Sequence, residues 1–149
     1  MRIRRSVRGI LLAEDRVLLM KMNFPWQDRL TWILPGGGIK SGEAPADALR
    51  RELLEETGYN LEEVPQPIGQ GQEPYPDAGI TLAHTFYLLN VEPFAAQPVQ
   101  LEAREAEWFV DFHWWEVDAL RQTDELILPG NLVTGMDTAL SGGSNIEFR

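Results

Sequence analysis

Three glutamates stand close together in a short segment that follows a run of glycines. Glu52, Glu55 and Glu56 occupy positions i, i+3 and i+4, so a helix would place their carboxylates on one side. Like charges at this spacing destabilise a bare helix by about 0.2–0.5 kcal/mol per pair, and Arg51 can brace one carboxylate bidentately but cannot neutralise three. The segment therefore predicts a bound divalent cation, Mg²⁺ or Mn²⁺, held by carboxylate oxygens against a phosphate chain.

The helix that would carry these carboxylates is predicted to run from Pro45 to Thr57. Proline suits the first turn of a helix, and Gly58 suits a left-handed cap at its end. Next to the three glutamates, Ala46, Leu49 and Leu53 would form an apolar stripe on the helix. The simpler alternative is a solvated helix face laced with salt bridges, which is the usual fate of charged helical residues. The glycines at 36–38, which lead into the helix, favour a binding site instead.

The stretch from Gly37 to Tyr59 resembles the Nudix box, GX5EX7REUXEEXGU, in which U is a bulky aliphatic residue. Every fixed position of this pattern is matched, and the match covers 23 of 149 residues. Tyr59 stands at the final U position, where an aliphatic residue is more common; this changes packing and not chemistry. The resemblance implies an α/β fold, the Nudix-type α/β/α sandwich, in which the box helix packs on a mixed central sheet and substrate enters a groove beside the loop and helix.

The predicted ligands of the cation are the carboxylates of Glu52, Glu55 and Glu56 and, by resemblance, the backbone carbonyl of Gly36. Because Mg²⁺ keeps several waters and takes only one or two carboxylates, Glu52 and Glu56, one helical turn apart, are the first candidates for direct ligands. The resemblance also implies that Gly37 and Glu43 support the site, with Glu43 holding the waters of the metal or Arg51.

The predicted catalytic residues are Glu52, Glu55 and Arg51. By resemblance, the base that activates water is Glu52, Glu55 or a glutamate beyond the box. Three acids compete for this last possibility, in a predicted acidic loop before a strand at Trp108: Glu102, Glu105 and Glu107. Solvated glutamates are common in such loops, which is the alternative interpretation; Glu105 is retained as the possible extra acid.

Substrate contacts are predicted in the loop at residues 23–29 and beside the glycines. Phe24 or Trp26 could stack on a nucleobase, and such stacking contributes about 1–3 kcal/mol per base. The alternative is a loop whose aromatic side chains close over the core. Arg29 and Lys40 are the cations expected to receive phosphate.

Other conspicuous residues have simpler interpretations. His84 lies in a predicted strand, where a lone histidine is more often a hydrogen-bonded core residue than a substrate ligand. Arg2, Arg4 and Arg8 alternate along the first strand, which fits either a phosphate contact or the solvated edge that protects a sheet from aggregation; the edge is preferred.

The remaining elements predict a mixed sheet with few helices. Strands are expected at Val7–Ala13, Arg16–Met22, Thr31–Leu34, Ile68–Gln72, Ile80–Val91 and Glu107–Val110, and helices at His113–Leu120 and Asn131–Leu140. A length of 149 residues fits one domain, residues 1–149, with a substantial core.

Composition limits the partners. The net charge of −10 opposes binding to long nucleic acid or an anionic membrane. A phosphate substrate must then be bound by groups close to it, such as the metal, the backbone amides of the glycine loop and nearby cations. These groups can outweigh distant charges because the Debye length is about 8 Å at physiological salt. There is no cysteine and no 18-residue apolar run. The apolar stretch near the N-terminus is shorter than the ~7–15 residues of an export signal, which favours a cytoplasmic enzyme.

The predicted function is Mg²⁺-dependent hydrolysis of a diphosphate linkage in a nucleoside diphosphate linked to a moiety X. Nucleoside triphosphates are the first expectation for this small-molecule substrate, and ADP-ribose or a nucleotide sugar is the second. A non-catalytic nucleotide-binding module of the same fold is the alternative from another class. The family resemblance also implies a possible homodimer.

Overall fold

The chain folds around one mixed β-sheet. The computed structural model describes residues 2–76 and 79–149. The strands are β1 (Arg2–Ala13), β2 (Arg16–Met22), β3 (Thr31–Ile33), β4 (Gly36–Gly38), β5 (Gly69–Tyr75), β6 (Ile80–Asn90), β7 (Phe109–Glu116), β8 (Leu126–Leu128) and β9 (Ile146–Phe148). The helices are α1 (Pro45–Thr57), α2 (Ala103–Trp108), α3 (Val117–Gln122) and α4 (Leu132–Leu140).

Strand β1 lies in the interior of the sheet. The strand order is β8-β3-β2-β1-β6-β5-β9, with β4 paired to β1 and β7 paired to β2. Strands β1 and β6 run parallel over their whole lengths, whereas the β1–β2 hairpin is antiparallel. The preference for a solvated edge is wrong for Arg8, because β4 and β6 flank β1 at this residue. Arg2 and Arg4 are exposed and, among the described strands, pair with β6 alone, which fits the preferred edge.

The two faces of β1 pack on different layers because successive side chains of a strand point to opposite sides. Val7 and Leu11 pack with Leu49 and Leu53 of α1. Residues of the opposite face, including Ile10 and Leu12, share a core with α4. The sheet is thus covered by helices on both faces, and the predicted α/β sandwich with the box helix packed on a mixed sheet is confirmed.

The hairpin and the box helix form as the sequence predicts. Glu14 adopts a positive φ of 58° in the turn between β1 and β2. Helix α1 begins at Pro45 and ends at Thr57, and Gly58 adopts a left-handed conformation while its N–H donates to the carbonyl of Leu54. The predicted helix at residues 131–140 is also present, with Asn131 as its N-cap residue but without a side-chain capping bond.

Two predictions in the second half of the chain are wrong. Residues of the predicted strand Glu107–Val110 divide between helix α2 and strand β7. The predicted helix His113–Leu120 is helical only in its second half, because strand β7 runs to Glu116 and helix α3 begins at Val117. Strand β7 pairs antiparallel with β2 from Glu116 back to Phe109. This pairing places Trp114 and Trp115 on opposite faces of the sheet, where each indole contacts a different core cluster. Tertiary pairing therefore outweighs local propensity here.

Among the residues that the structure describes, no helix is long and apolar enough to cross a membrane.

Candidate metal centre and active site

Three carboxylates converge between α1 and α2. Glu52 and Glu56 from α1 and Glu105 from α2 each present an oxygen atom, and these atoms lie within 4.8 Å of one another. The side chains of Glu52 and Glu56 are almost wholly buried, with 3% and 1% of their surface exposed. Close approach of buried like charges is unfavourable unless a proton or a cation compensates. The arrangement therefore fits a divalent cation with hard oxygen ligands.

Glu56 has one satisfied and one unsatisfied oxygen. Its Oε1 accepts a hydrogen bond of 2.6 Å from the backbone N–H of Gly36. Its Oε2 is buried and has no hydrogen-bond partner among the residues that the structure describes. The nearby Glu105 carboxyl group becomes a partner only if the two acids share a proton. Since a buried polar atom without a partner is costly, the orphaned oxygen is an observation that points to a bound cation.

The glycine loop is shaped by close approach to these acids. A Cβ atom at Gly37 would lie 2.5 Å from the Cδ of Glu52, so a side chain at this position would displace the carboxylate. On the other side of the loop, the Ser6 hydroxyl donates a 3.0 Å hydrogen bond to the carbonyl of Gly37. Strand β4 thus holds the bare backbone against the acidic side of α1.

Arg51 organises the supporting acids. Its Nε and one terminal nitrogen contact both oxygens of Glu43 at 2.8 and 2.9 Å. Its other terminal nitrogen donates to Glu52 Oε1 at 2.9 Å, and a further hydrogen bond of 2.9 Å reaches the carbonyl of Gly38. The guanidinium therefore fixes Glu52 from one side, and Arg51 acts here as a positioning residue.

The electrostatics follow from burial and from these contacts. The pKa of Glu52 is raised to about 7, chiefly by burial and then by the charge of Glu105, while Arg51 acts in the opposite direction. Burial also raises the pKa of Glu56 well above its ordinary value, with Glu105 and Glu52 acting in the same direction. By contrast, hydrogen bonds from the Arg51 side chain and the Lys40 backbone lower the pKa of Glu43 to about 2. The ionised forms of Glu52 and Glu56 are thus not fully compensated by positive charge, whereas the ionised form of Glu43 is stabilised by Arg51.

Several predicted residues lie at the margin of this cluster. Glu55 is outside the group of three, and its Oε2 lies 3.5 Å from the terminal nitrogen of Arg51. The carbonyl of Gly36 accepts a 3.3 Å hydrogen bond from Arg8. The side chain of Lys40 is exposed, and its backbone N–H donates to Glu43. The metal roles of Glu55 and Gly36 and the phosphate role of Lys40 therefore stay predictions.

Glu105, the possible further acid from outside the Nudix box, lies on helix α2 and not in the predicted loop. Of the three later glutamates that compete, Glu105 joins the buried acids within the described part of the chain, whereas Glu102 and Glu107 do not. Glu102 is the residue that precedes the first turn of α2. Trp108 is the one buried residue of α2, and its ring contacts Phe24 and Trp26.

A cavity of about 450 Å³ has five aromatic residues in its wall. Arg8, whose charge acts on Glu52 and Glu56, also lines it, so the cavity lies near the carboxylate cluster. Phe24 and Trp26 both line it and stack on each other with ring centroids 4.8 Å apart. Trp26 also contacts Tyr75 and Trp108, which places it against the helix that carries Glu105. Phe24 is itself buried, which fits a loop that closes over the core. Stacking of Phe24 or Trp26 on a nucleobase stays a prediction.

Arg8, for which an edge strand is preferred from the sequence over a phosphate contact, is a cation at the cavity. Arg8 lines the cavity and donates to the carbonyls of Leu34 and Gly36 at 2.9 and 3.3 Å. The signal was its position two residues before Ile10, on the core-facing side of β1. Arg29 does not line the cavity; it is exposed and donates a 2.7 Å hydrogen bond to the carbonyl of Asp124.

His84 and Glu73 form a polar contact at the cavity, and no feature of the sequence singles out Glu73. His84 Nε2 lies 2.9 Å from Glu73 Oε1, and both residues line the cavity. His84 is 5% exposed, so the expectation of a hydrogen-bonded core histidine is correct. Glu73 carried no sequence signal because its segment is rich in glycine and proline and shows little periodicity.

The sequence pattern of the NUDIX domain matches residues 2–132. The chain belongs to the Nudix hydrolase family. It is 36% identical over 104 residues to an RNA pyrophosphohydrolase of Sulfurovum sp. (strain NBC37-1), an alignment that covers 63% of this chain and 64% of that protein. It is 42% identical over 66 residues to the nucleoside triphosphatase NudI of Escherichia coli (strain SE11), which covers 41% and 44% respectively. The chain thus spans less than two thirds of the length of these relatives.

The same fold is found among solved structures. The NUDIX domain of Shewanella oneidensis NrtR, determined as a complex with ADP ribose, superposes with a TM-score of 0.70 at 20% identity and covers 94% of this chain and 90% of that one. At this identity the likeness concerns the fold alone.

The Nudix box departs from the common pattern at Tyr59. The ring of Tyr59 packs on that of Phe94, with 5.0 Å between the ring centroids, so the tyrosine extends the core at the end of α1.

Proposed function

We propose that this Nudix protein hydrolyses a diphosphate linkage in a nucleoside diphosphate linked to a moiety X, in a Mg²⁺-dependent reaction. The observation that supports this most strongly is the orphaned, buried Glu56 Oε2 among three converging carboxylates. Such a cluster has no structural advantage without a cation, and an aromatic cavity of nucleotide size lies next to it. Mn²⁺ has similar ligand preferences and is the second candidate.

The roles follow from the contacts. Glu52, Glu56 and Glu105 hold the cation, and Arg51 keeps Glu52 and the supporting Glu43 in place. A bound Mg²⁺ supplies the positive charge that stabilises the charge developing on the phosphoryl oxygens. Glu55 remains a candidate for the base, because its carboxylate lies at the rim of the cluster beside Arg51.

Nucleoside triphosphates are the proposed substrates. The base occupies the aromatic cavity against Trp26, and the phosphate chain extends past Arg8 toward the carboxylates. The similarity to the nucleoside triphosphatase NudI favours this choice. ADP-ribose or a nucleotide sugar is the second candidate, which the ADP-ribose complex of the structural neighbour favours. The similarity to an RNA pyrophosphohydrolase extends the proposal to a triphosphate at a short RNA 5′ end, whereas the charge of −10 opposes long RNA.

The test is a screen for release of phosphate and pyrophosphate. Nucleoside triphosphates, nucleotide sugars, ADP-ribose and dinucleoside polyphosphates are incubated with the protein and Mg²⁺, with Glu52→Gln as the blank. We expect release that depends on Mg²⁺ and is absent in the blank. A nucleotide that binds without being cleaved would favour the non-catalytic module instead. A cytoplasmic location and a homodimer remain parts of the proposal that rest on the sequence and the family resemblance.

A further inference from the structure

A chain of three polar side chains forms one end of the cavity. Arg8 Nε lies 3.5 Å from His84 Nδ1, and His84 Nε2 lies 2.9 Å from Glu73 Oε1. All three residues line the cavity, and none of them belongs to the Nudix box. They stand on three different strands, β1, β6 and β5, so the position of each is fixed by the sheet.

The donor and acceptor roles in this chain follow from Arg8. A guanidinium nitrogen only donates hydrogen bonds, so His84 accepts at Nδ1. A neutral imidazole then carries its proton on Nε2 and donates it to Glu73 Oε1. Burial lowers the pKa of His84, which agrees with a neutral ring. The Glu73 carboxyl group is therefore held as an acceptor, and the hydrogen bond from His84 lowers its pKa against the effect of burial.

A carboxylate has two oxygens and about four lone-pair directions, and the bond from His84 uses one of them. Glu73 therefore keeps acceptor capacity toward the cavity that it lines. A ligand that offers two adjacent N–H donors can pair with both oxygens at once. Among the common nucleobases, only guanine presents such an edge, through its N1–H and its 2-amino group. Hypoxanthine, the base of inosine, has the N1–H but lacks the amino group, and adenine has an acceptor at N1.

We propose that Glu73, oriented by His84, is the residue that selects the base and that it favours guanine-type bases through their paired N–H donors. This inference rests on the proposed function in that it places the base in the cavity beside the metal cluster. The stacking of the base on Trp26 tolerates any base, so discrimination must come from a polar group of this kind.

The test compares ligands that differ by the single amino group. Binding of GMP and IMP is measured by calorimetry, and kcat/KM is measured for GTP and ITP with Mg²⁺, in the wild type, Glu73→Gln and Glu147→Gln. Glu147 provides the matched control, because it loses the same charge on the neighbouring strand while its side chain pairs with Gln70 on the opposite face of the sheet. We expect the wild type and the control to favour the guanine ligand by about 10- to 100-fold. In Glu73→Gln the ratio should fall to about one.

The outcomes separate this inference from the proposed function. Equal affinity of the wild type for GMP and IMP would overturn the inference, even if triphosphates are hydrolysed. A guanine preference that survives in Glu73→Gln would also overturn it, and so would failure of both nucleotides to bind. If neither GTP nor ITP is cleaved while GMP binds with a preference that Glu73→Gln removes, the inference stands and the proposed hydrolysis fails. The wild-type comparison needs no variant, so a folding defect of Glu73→Gln cannot hide the result.

Discussion

The substitution Glu52→Gln should reduce the loss of folding stability that the metal-free protein undergoes as pH rises from about 5 to about 8. The folded-state pKa of Glu52 is raised to about 7 by burial, so the native state binds its proton more tightly than the unfolded chain does. Stability is then greatest below the ordinary glutamate pKa and falls as pH rises toward the folded-state pKa. Glu56 acts in the same direction, because its pKa is also raised by burial.

The size of the effect follows from the two pKa values of Glu52. The ordinary value of 4.5 and the folded value of about 7 correspond to about 3 kcal/mol when the carboxylate is ionised, at about 1.4 kcal/mol per pH unit. Most of this difference, about 2–3 kcal/mol, develops between about pH 5 and about pH 8. In a chain of this size, each kcal/mol changes the melting temperature by about 2–4 °C.

The assay is thermal and urea unfolding with a chelator present, across this pH range, for the wild type, Glu52→Gln and Glu55→Gln. The quantity of interest is the difference in unfolding free energy between variant and wild type, because contributions such as that of His84, whose pKa burial lowers, cancel in it. We expect Glu52→Gln to gain about 2–3 kcal/mol relative to the wild type as pH rises. Glu55→Gln, the same substitution on the same helix but outside the group of three acids, should show no such gain.

Mg²⁺ provides an independent check of the same reasoning. Above about pH 7, the metal should raise the melting temperature of the wild type, since it binds only the folded protein, and it should stabilise Glu52→Gln much less. A difference between Glu52→Gln and wild type that is flat over this pH range would refute the argument that burial dominates. A melting temperature that does not respond to Mg²⁺ would favour a structural acidic helix without a metal.

Three further substitutions test the remaining parts of the site by steady-state kinetics on the substrate identified by the screen. Glu56→Gln keeps the acceptor for the Gly36 N–H but removes the charge, so kcat should fall at least about 100-fold; a near-normal kcat would contradict its role as a ligand. Arg51→Lys cannot hold Glu43 bidentately, and kcat should fall about 10-fold at similar KM; an unchanged kcat would argue against positioning. Trp26→Ala should raise KM about 10-fold with little change in kcat, whereas an unchanged KM would place the base elsewhere.

The box helix and its glycine loop were predictable because their signals are local. Proline, glycine and the helical spacing of Glu52 and Glu56 depend on a few neighbouring residues, and the structure has the helix with the predicted bounds. The strand β7 was not predictable in this way. Its aromatic residues suit either a short helix or a strand, and only pairing with β2, about ninety residues earlier in the chain, decides between them.

The position of Glu105 in the cluster depends on tertiary structure in the same way. Its sequence context has three glutamates separated by alanine and arginine, and nothing local distinguishes it from Glu102 or Glu107. The distinction arises because Trp108 inserts among Phe24 and Trp26, which fixes the rotation of α2 and turns Glu105 toward α1. The aromatic loop and the extra acid are therefore one structural unit, although the sequence presents them as two unrelated features.

Arg8 connects the cavity to the cluster of three carboxylates. It donates to the carbonyl of Gly36, the residue whose N–H holds Glu56, and it also contacts His84 in the cavity wall. The parallel pairing of β1 with β6 places this cation between the two regions, in a chain with a net charge of −10. A phosphate substrate of the proposed kind would need local positive charge of this sort. An arginine at the sheet edge would have been free to move with the solvent. In the interior of the sheet, the same residue links the wall of the cavity to the loop that contacts the acids.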